Sequence, residues 1–291
     1  MNKSILFCST LLAGFLGFAQ SVNAQVVEVE QIRLTSGSAT IFNDLLDNGN
    51  ALSGPSFSSG MAGNYSVRGL ASPAELNNAV SETNGRLQLN AAYATSSPNA
   101  AGNTGGQNSL GLRLLSDINE PSQGLSQSSV FSAEASFAYS QPTLTFQYGV
   151  RLTDNYSNNS DVVDLRVAQN SFGTYIYFRH QDFLAATITD IYSVGISVPA
   201  PGSFLTLGLA QDIAGSGLVH GYWGFRDANG VPIGSMQSLG QSAIFHGEDH
   251  TQFEVRALTP VTAVPEPESY ALMLTGLALV GAVVRRRTKR A

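Results

Sequence analysis

The sequence predicts an all-β protein built as an antiparallel β-sandwich of the jelly-roll kind. The chain has 291 residues, and between its two terminal apolar segments the one clear helix signal is a short capping pattern. Elsewhere, short segments rich in β-branched and aromatic residues alternate with turn-forming residues at fairly regular spacing. Beyond residue 130 we expect strands at Val130–Tyr139, Thr143–Leu152, Val162–Ala168, Thr174–Arg179, Ile191–Val198, Phe204–Ala210, Val219–Arg226 and Phe253–Leu258.

The N-terminal residues have the pattern of a secretory signal peptide. Lys3 precedes an apolar run over residues 5–19, and the small residues that follow suit a signal peptidase cutting after Ala24. A transmembrane anchor would need a longer run and a stop-transfer flank. We therefore expect residues 1–24 to be removed and residues 25–263 to form the exported domain.

Two elements are expected early in the exported region. Residues Val26–Leu34 alternate apolar and polar side chains, the period of a half-buried strand. Ser72, followed by Pro73 and Glu75, has the pattern of a capping box and predicts a helix up to about Thr83.

Turn-forming residues mark two further places. Residues 96–109 are crowded with Gly, Asn, Ser and Pro and are expected to form a loop. The Asn229-Gly230 pair predicts a tight hairpin turn, since it accepts positive φ angles. The alternative to one large domain is a small N-terminal β module that ends near Asn119 and precedes the sandwich.

Composition excludes some functions. The only cysteine, Cys8, lies in the signal peptide, so a packed core rather than a disulfide must hold the exported fold. Residues 25–263 contain nine arginines, no lysine and nineteen carboxylates, about ten net negative charges. Such a field disfavours nucleic acid and anionic membrane surfaces.

No catalytic constellation stands out in the sequence. A β-sandwich glycosidase needs two carboxylates about 5–10 Å apart, but Glu248 and Asp249 are adjacent and would point to opposite faces of a strand. The Gly-x-Ser-x-Gly pattern of serine hydrolases is also missing. We expect a protein that is not an enzyme, with a glycoside hydrolase as the least favoured alternative.

Two segments offer ligands to a metal ion. Asp154, Asn158 and Asp161 belong to an oxygen-rich segment that can chelate Ca²⁺, although it lacks the glycine and terminal glutamate of a helix-loop-helix site. Its alternative role is a polar connection between strands. Residues 246–250 contain two histidines and two carboxylates, which could bind a transition metal. The alternative is that these residues form a solvated loop. No other cofactor is expected.

Aromatic side chains are the remaining binding candidates. Tyr175, Tyr177 and Tyr222 lie on predicted strands, where an exposed ring can stack on the apolar face of a sugar. Tyr175 and Tyr177 are two positions apart and therefore share one side of their strand. The alternative to sugar binding is that these tyrosines are simply half-covered at the sandwich surface. Trp223, which follows Tyr222, is expected to lie in the core.

The C-terminal residues have a three-part pattern. A stiff spacer precedes an uncharged apolar run over residues 270–284, which predicts a transmembrane helix slightly short for a bilayer core. The basic residues after it should stay in the cytoplasm. The spacer and the basic end comprise Val264, Pro265, Glu266, Pro267, Arg285, Arg286 and Arg287.

This order of spacer, apolar helix and arginine-rich end resembles the PEP-CTERM sorting signal of Gram-negative bacteria. The resemblance covers residues 264–291. It implies recognition and removal of the signal by the membrane protease-transpeptidase exosortase, after transient anchoring in the inner membrane. Delivery to the cell surface or extracellular matrix is then expected. The strand rhythm of Phe131–Ala257 also resembles concanavalin-A-like and laminin-G-like sandwiches.

Together these features favour an exported, non-enzymatic surface or matrix protein of structural or interaction type. Its expected partners are signal peptidase, exosortase and exopolysaccharide of the biofilm matrix, but not nucleic acid. A carbohydrate-binding, lectin-like module is the closest alternative, and a glycoside hydrolase is the next.

Overall fold

The computed structural model describes residues 25–49, 64–96, 107–115, 125–154, 161–182, 185–245 and 251–260. The expected signal peptide, the expected transmembrane helix over 270–284 and the histidine-containing segment 246–250 lie outside these residues. Among the described residues, no helix is long and apolar enough to cross a bilayer.

The described residues form strands and very little helix. One short helix, α1, spans Leu76–Ala79, and 3₁₀ turns span Pro73–Glu75 and Ala91–Tyr93. The strands are β1 Val26–Ser36, β2 Ala39–Asp44, β3 Asn64–Arg68, β4 Val80–Thr83, β5 Arg86–Asn90, β6 Thr95–Ser96, β7 Gln107–Leu115, β8 Phe131–Ala138, β9 Gln147–Asp154, β10 Val162–Asn170, β11 Gly173–Asp182, β12 Thr187–Gly195, β13 Phe204–Gln211, β14 Leu218–Arg226, β15 Pro232–Ile244 and β16 Thr251–Pro260.

These strands make two eight-stranded antiparallel sheets. Sheet I has the order β15-β14-β13-β8-β1-β5-β4, with β2 also paired to β1, and sheet II has the order β12-β11-β10-β9-β16-β7-β3, with β6 paired to β7. Strands from the first 115 residues pair with later strands in both sheets, since β1 pairs with β8 and β7 pairs with β16. The first 115 residues and the later residues therefore both contribute strands to both sheets.

Alternation along the strands builds one hydrophobic core between the sheets. Leu207 of β13 in sheet I and Leu165 of β10 in sheet II are both fully buried members of that core. The layers come so close that a Cβ on Gly221 of β14 would press on Leu165 at 2.8 Å. Among the described residues, the core members extend from Val27 to Ala257, so the core is shared by both ends of the exported region.

A buried hydrogen bond also links the two layers. The hydroxyl of Tyr65 on β3 donates to Oδ2 of Asp44 on β2 at 2.6 Å. The backbone N–H of Leu46 donates to the other oxygen of the same carboxylate. Burial, the carboxylate of Asp44 and their hydrogen bond together raise the pKa of Tyr65 far above its ordinary value.

The predicted antiparallel all-β class is confirmed, as is the first strand. The expected turn at Asn229-Gly230 is confirmed too: the N–H of Asp227 donates to the carbonyl of Val231 at 2.8 Å, and Gly230 has φ +79°. This hairpin joins β14 to β15 of sheet I.

The predicted helix up to Thr83 was wrong in its second half. Ser72 does cap the first turn by accepting from the N–H of Ala74, but α1 ends at Ala79 and Val80–Thr83 is strand β4. Asn84 and Gly85 have φ +57° and +71°, the geometry of a two-residue hairpin between β4 and β5. Pairing with β5 therefore outweighed the local helix signal.

The predicted loop over 96–109 was also too long. Residues 97–106 lie outside the described residues, but Gln107–Leu115 forms β7, which pairs with β3, β6 and β16. The signal was present, since Leu110, Leu112 and Leu114 alternate with smaller or polar residues and are fully buried. The glycines and polar residues just before them concealed this pattern.

Candidate functional site

The face of sheet II that points away from the core carries buried charge. Every residue of β10 from Val162 to Ala168 is buried. Val163 and Leu165 face the core, whereas Asp164 and Arg166 lie on the outer face with exposed fractions of 0% and 1%. Buried charges are rare unless they are paired, so these two side chains require partners on the neighbouring strands.

Cross-strand register places opposite charges side by side in what we call the charged row. It runs across five neighbouring strands from β7 to β11, and the sign of the charge alternates at every step. Directly opposed residues of opposite charge stabilise an antiparallel sheet. The charged row comprises Arg113, Glu254, Arg151, Asp164 and Arg179.

Asp164 is the centre of the charged row. Its Oδ1 accepts from Nε of Arg151 at 2.8 Å and from Nη1 of Arg256 at 2.9 Å. Its Oδ2 accepts from Nη2 of Arg166 at 3.2 Å and from Nη2 of Arg179 at 3.0 Å. Four guanidinium groups therefore converge on one buried carboxylate.

The adjacent rung, which we call the arginine row, alternates arginine with glycine before ending in an aromatic ring. Neither glycine position has room for a side chain. A Cβ on Gly111 would clash with Glu254, and one on Gly149 would clash with the backbone of Leu165 and Arg166. The arginine row comprises Arg68, Gly111, Arg256, Gly149, Arg166 and Tyr177.

Glu254 balances the other end of the cluster. It lies 3.2 Å from Nε of Arg256 and 3.4 Å from Nη2 of Arg113. Burial alone would raise the pKa of Glu254, but these two guanidinium groups hold it below its ordinary value. Ser109 completes the contacts by accepting from Nε of Arg256 at 3.0 Å.

The same balance fixes the ionisation of Asp164. Burial alone would raise its pKa, but Arg151, Arg166 and Arg256 together hold the pKa well below its ordinary value. Burial lowers the pKa of Arg256, and the like charge of Arg151 lowers it further. Arginine nevertheless keeps its proton at neutral pH, so the cluster stays fully ionised.

Arginine is unevenly distributed over the two sheets. Six of the nine arginines of the exported region lie on the outer face of sheet II, in the two rows above. Arg33, Arg86 and Arg226 lie instead on the outer face of sheet I, each paired with a glutamate at 2.8–2.9 Å. The positive charge of an acidic domain is thus concentrated on one face.

Two of the tyrosines expected to stack on sugars lie beside this cluster. Tyr175 and Tyr177 are half-buried on the outer face of β11, with ring centroids 6.3 Å apart and perpendicular planes. The guanidinium carbons of Arg166 and Arg179 lie 5.5 Å and 5.9 Å from the ring centroid of Tyr177, which indicates cation–π contact.

Tyr222 lies elsewhere. It is on the outer face of sheet I, where its ring covers Gly208 and its hydroxyl donates to Oε2 of Glu134 at 2.8 Å. It therefore shares no surface with Tyr175 and Tyr177. Trp223, the next residue, is partly buried and packs against the core.

The expected metal ligands are only partly described. Asn158 and the side chain of Asp154 lie outside the description, while Asp161 is buried with Oδ2 3.6 Å from Nε2 of His180. Among the described residues, no group of three or more metal-ligating side chains comes together. The calcium site therefore stays a prediction.

Sequence reasoning missed the arginine cluster. The available signal was a carboxylate two positions before an arginine in a predicted strand, as in Asp164-Leu165-Arg166 and Glu254-Val255-Arg256. Residues two apart share a face of a strand, so this spacing places each carboxylate next to its arginine. That several such pairs share one face depends on strand order, which the sequence does not state.

Chemically, the outer face of sheet II combines an arginine cluster, paired internally with Asp164 and Glu254, with two half-buried tyrosine rings. Arg151 and Arg179 are partly exposed members of that cluster, at 14% and 15%, and their guanidinium groups suit anions. The described residues thus define an all-β sandwich with an arginine-rich outer face.

Comparison with known proteins identifies the C-terminal segment. Residues 263–287 match the PEP-CTERM protein-sorting motif, which confirms the resemblance noted above. The motif indicates an exported protein that is anchored in a membrane during transit and is sorted and processed by an exosortase. No curated protein and no solved structure matches the chain.

Proposed function

We propose that the exported region is a non-enzymatic surface or extracellular-matrix protein that associates with exopolysaccharide in a Gram-negative bacterium. The observation that carries this proposal is the sorting motif over residues 263–287, which ties the chain to export and exosortase processing. Signal peptidase would remove residues 1–24, and the segment 270–284 would hold the chain in the inner membrane until the sorting cut. We also propose that the sandwich has a jelly-roll or concanavalin-A-like topology.

The composition of the exported region supports a matrix role. It carries about ten net negative charges and many Gly, Ser and Asn residues. Its described residues form a hydrophobic core, and residues 25–263 contain no cysteine. Such a domain can persist outside the cell independently of the redox state of its surroundings.

Mass spectrometry of the protein recovered from the surface fraction of a producing cell tests the sorting step. We expect an N-terminus at Gln25 and a C-terminal peptide that ends near Pro265–Pro267. A peptide containing Arg285 in fully processed surface material would contradict the proposal.

Affinity electrophoresis tests the association. Residues 25–263 are run through native gels with and without the producer's own exopolysaccharide, and with and without a chelator. Retardation is the expected result, and its loss with chelator would support the calcium site at Asp154, Asn158 and Asp161. No retardation in any gel would leave a purely structural role. Shortened polysaccharide chains in the gel would instead indicate a glycoside hydrolase.

A lectin-like module is the second candidate function. The half-buried rings of Tyr175 and Tyr177 on β11 favour it, since they lie side by side on one outer face. Tyr177→Ala should then abolish retardation by the exopolysaccharide. Tyr192→Ala is the matched control, because Tyr192 is an exposed tyrosine of the neighbouring strand β12 in register with core-facing Phe178.

A further inference from the structure

Three consecutive outward-facing residues of β11 combine two aromatic rings with a cation. Tyr175, Tyr177 and Arg179 are each two positions apart, so their side chains follow one another along the outer face at about 6.6 Å. The two rings are perpendicular, and the guanidinium carbon of Arg179 lies 5.9 Å from the ring centroid of Tyr177. An extended chain that lies along this strand would meet ring, ring and charge in that order.

The neighbouring edge strand β12 leaves space beside both rings. Gly195 is the register partner of Tyr175 and Ser193 is the register partner of Tyr177. Both small residues are exposed, and a Cβ added to Gly195 would meet nothing within 4 Å. We call the surface formed by Tyr175, Tyr177, Arg179, Ser193 and Gly195 the tyrosine shelf.

Arg179 has a donor that can serve a ligand. Its Nη2 donates to Asp164 at 3.0 Å, whereas its buried Nε has no hydrogen-bond acceptor within the described part of the chain. Solvent still reaches the side chain, which is 15% exposed. The exposed part of its guanidinium group can therefore meet an anion at the surface.

The wider field of this face favours an anionic ligand. The charged row and the arginine row hold six arginines against Asp164 and Glu254, so their summed charge is positive within a domain whose overall charge is negative. Concentrated positive charge on one face raises the local concentration of anions and steers them inward. A neutral sugar would gain the stacking on Tyr175 and Tyr177 but would not use this field.

We propose that the tyrosine shelf binds a polysaccharide built from carboxylate-bearing sugars. The pyranose rings stack on Tyr175 and Tyr177, and a sugar carboxylate accepts from the exposed part of the Arg179 guanidinium group. This inference rests on the proposed association with exopolysaccharide and names the chemical class of that ligand. Charge-assisted hydrogen bonds are about twice as strong as neutral ones, so Arg179 selects acidic over neutral chains.

Native gels that contain either polygalacturonate or neutral dextran test the proposal on residues 25–263. Polygalacturonate should retard the wild-type protein and dextran should not. Arg179→Gln should weaken the retardation about tenfold, because one charge-assisted hydrogen bond is lost. Asp164 keeps three other arginines in that variant, so the sheet should still fold.

A second variant blocks the tyrosine shelf without removing any side chain that would contact the polysaccharide. Gly195→Phe fills the open space beside Tyr175, where an added Cβ has no steric conflict, and should abolish the retardation. Arg226→Gln is the matched control, since it removes an arginine paired with Glu30 on the other sheet. Retardation that is equal in wild type, Arg179→Gln and Gly195→Phe would overturn the proposal.

The producer's exopolysaccharide, used before and after chemical reduction of its carboxyl groups, separates this inference from the proposed function. Binding to the native polymer that is lost after carboxyl reduction supports both. Binding that survives reduction and the Arg179→Gln change keeps the association with exopolysaccharide but overturns the acidic-sugar class. Failure to bind the native polymer overturns the association itself.

Discussion

Arg256 on β16 reaches Asp164 on β10 across an intervening strand, with Nη1 and Oδ1 2.9 Å apart. Strand β9 lies between them, and its residue in register with Arg256 is Gly149. A Cβ added to Gly149 would clash with the backbone of Leu165 and Arg166 on β10. This glycine therefore allows β9 and β10 to lie close together beneath the ion pair.

Asp164→Asn should destabilise the exported region strongly. Four guanidinium groups converge on this carboxylate, and removing it leaves their buried charge uncompensated. Breaking a buried ion pair from one side costs about 3–5 kcal/mol. Urea unfolding measures the change in the free energy of unfolding. Asp212→Asn is the control, since that side chain is 74% exposed; a loss no larger than the control's would refute the central role of Asp164.

Gly149→Ala should also destabilise the fold. The new Cβ would clash with the carbonyl of Leu165 and the backbone of Arg166, neither of which can rotate away. We expect a loss of about 1–3 kcal/mol, as for other overpacked sites. Thermal and urea unfolding measure it. Gly195→Ala adds the same atom in open space and should change stability by about 0.5 kcal/mol or less; equal effects of the two would be inconsistent with this steric explanation.

Stability should fall in acid through Asp164 and Glu254. Both carboxyl groups have folded-state pKa values below their ordinary values of 3.8 and 4.5, so the unfolded chain takes up protons first as the pH falls. Their stabilisation is complete above about pH 5 and is lost as the pH falls through the ordinary values toward the folded ones. Urea unfolding at about pH 7, 5 and 3 checks this.

The control for the acid effect is Glu254→Gln. This variant lacks one of the two titrating groups, so it should lose less stability between about pH 5 and pH 3 than the wild type. If both proteins lose the same amount, the acid sensitivity arises from other carboxylates.

Cleavage between residues 97 and 106 should not separate the two halves of the exported region. Strand β1 pairs with β8 in sheet I and β7 pairs with β16 in sheet II, so the fragments would remain joined by long ladders and a shared core. Limited proteolysis followed by size-exclusion chromatography should give two peptides that elute together. Fragments that elute separately would favour an independent N-terminal module.

Local patterns determined much of the architecture. Alternation of apolar residues located most strands after residue 130, and Asn229-Gly230 correctly marked a hairpin, because both signals depend on neighbours in sequence. The helix predicted to run to Thr83 was wrong because pairing with β5 is not visible locally. Strand β7 was missed because polar and glycine-rich residues precede its leucines.

The sequence by itself determined the sorting signal and the all-β class, since short motifs and periodicity carry both. Only the tertiary structure decided that Arg113, Arg151, Arg166, Arg179 and Arg256 share one face with Asp164. These residues come from five strands whose order in the sheet differs from their order in the chain. Register across non-consecutive strands is fixed by packing of the whole core, and no local pattern records it.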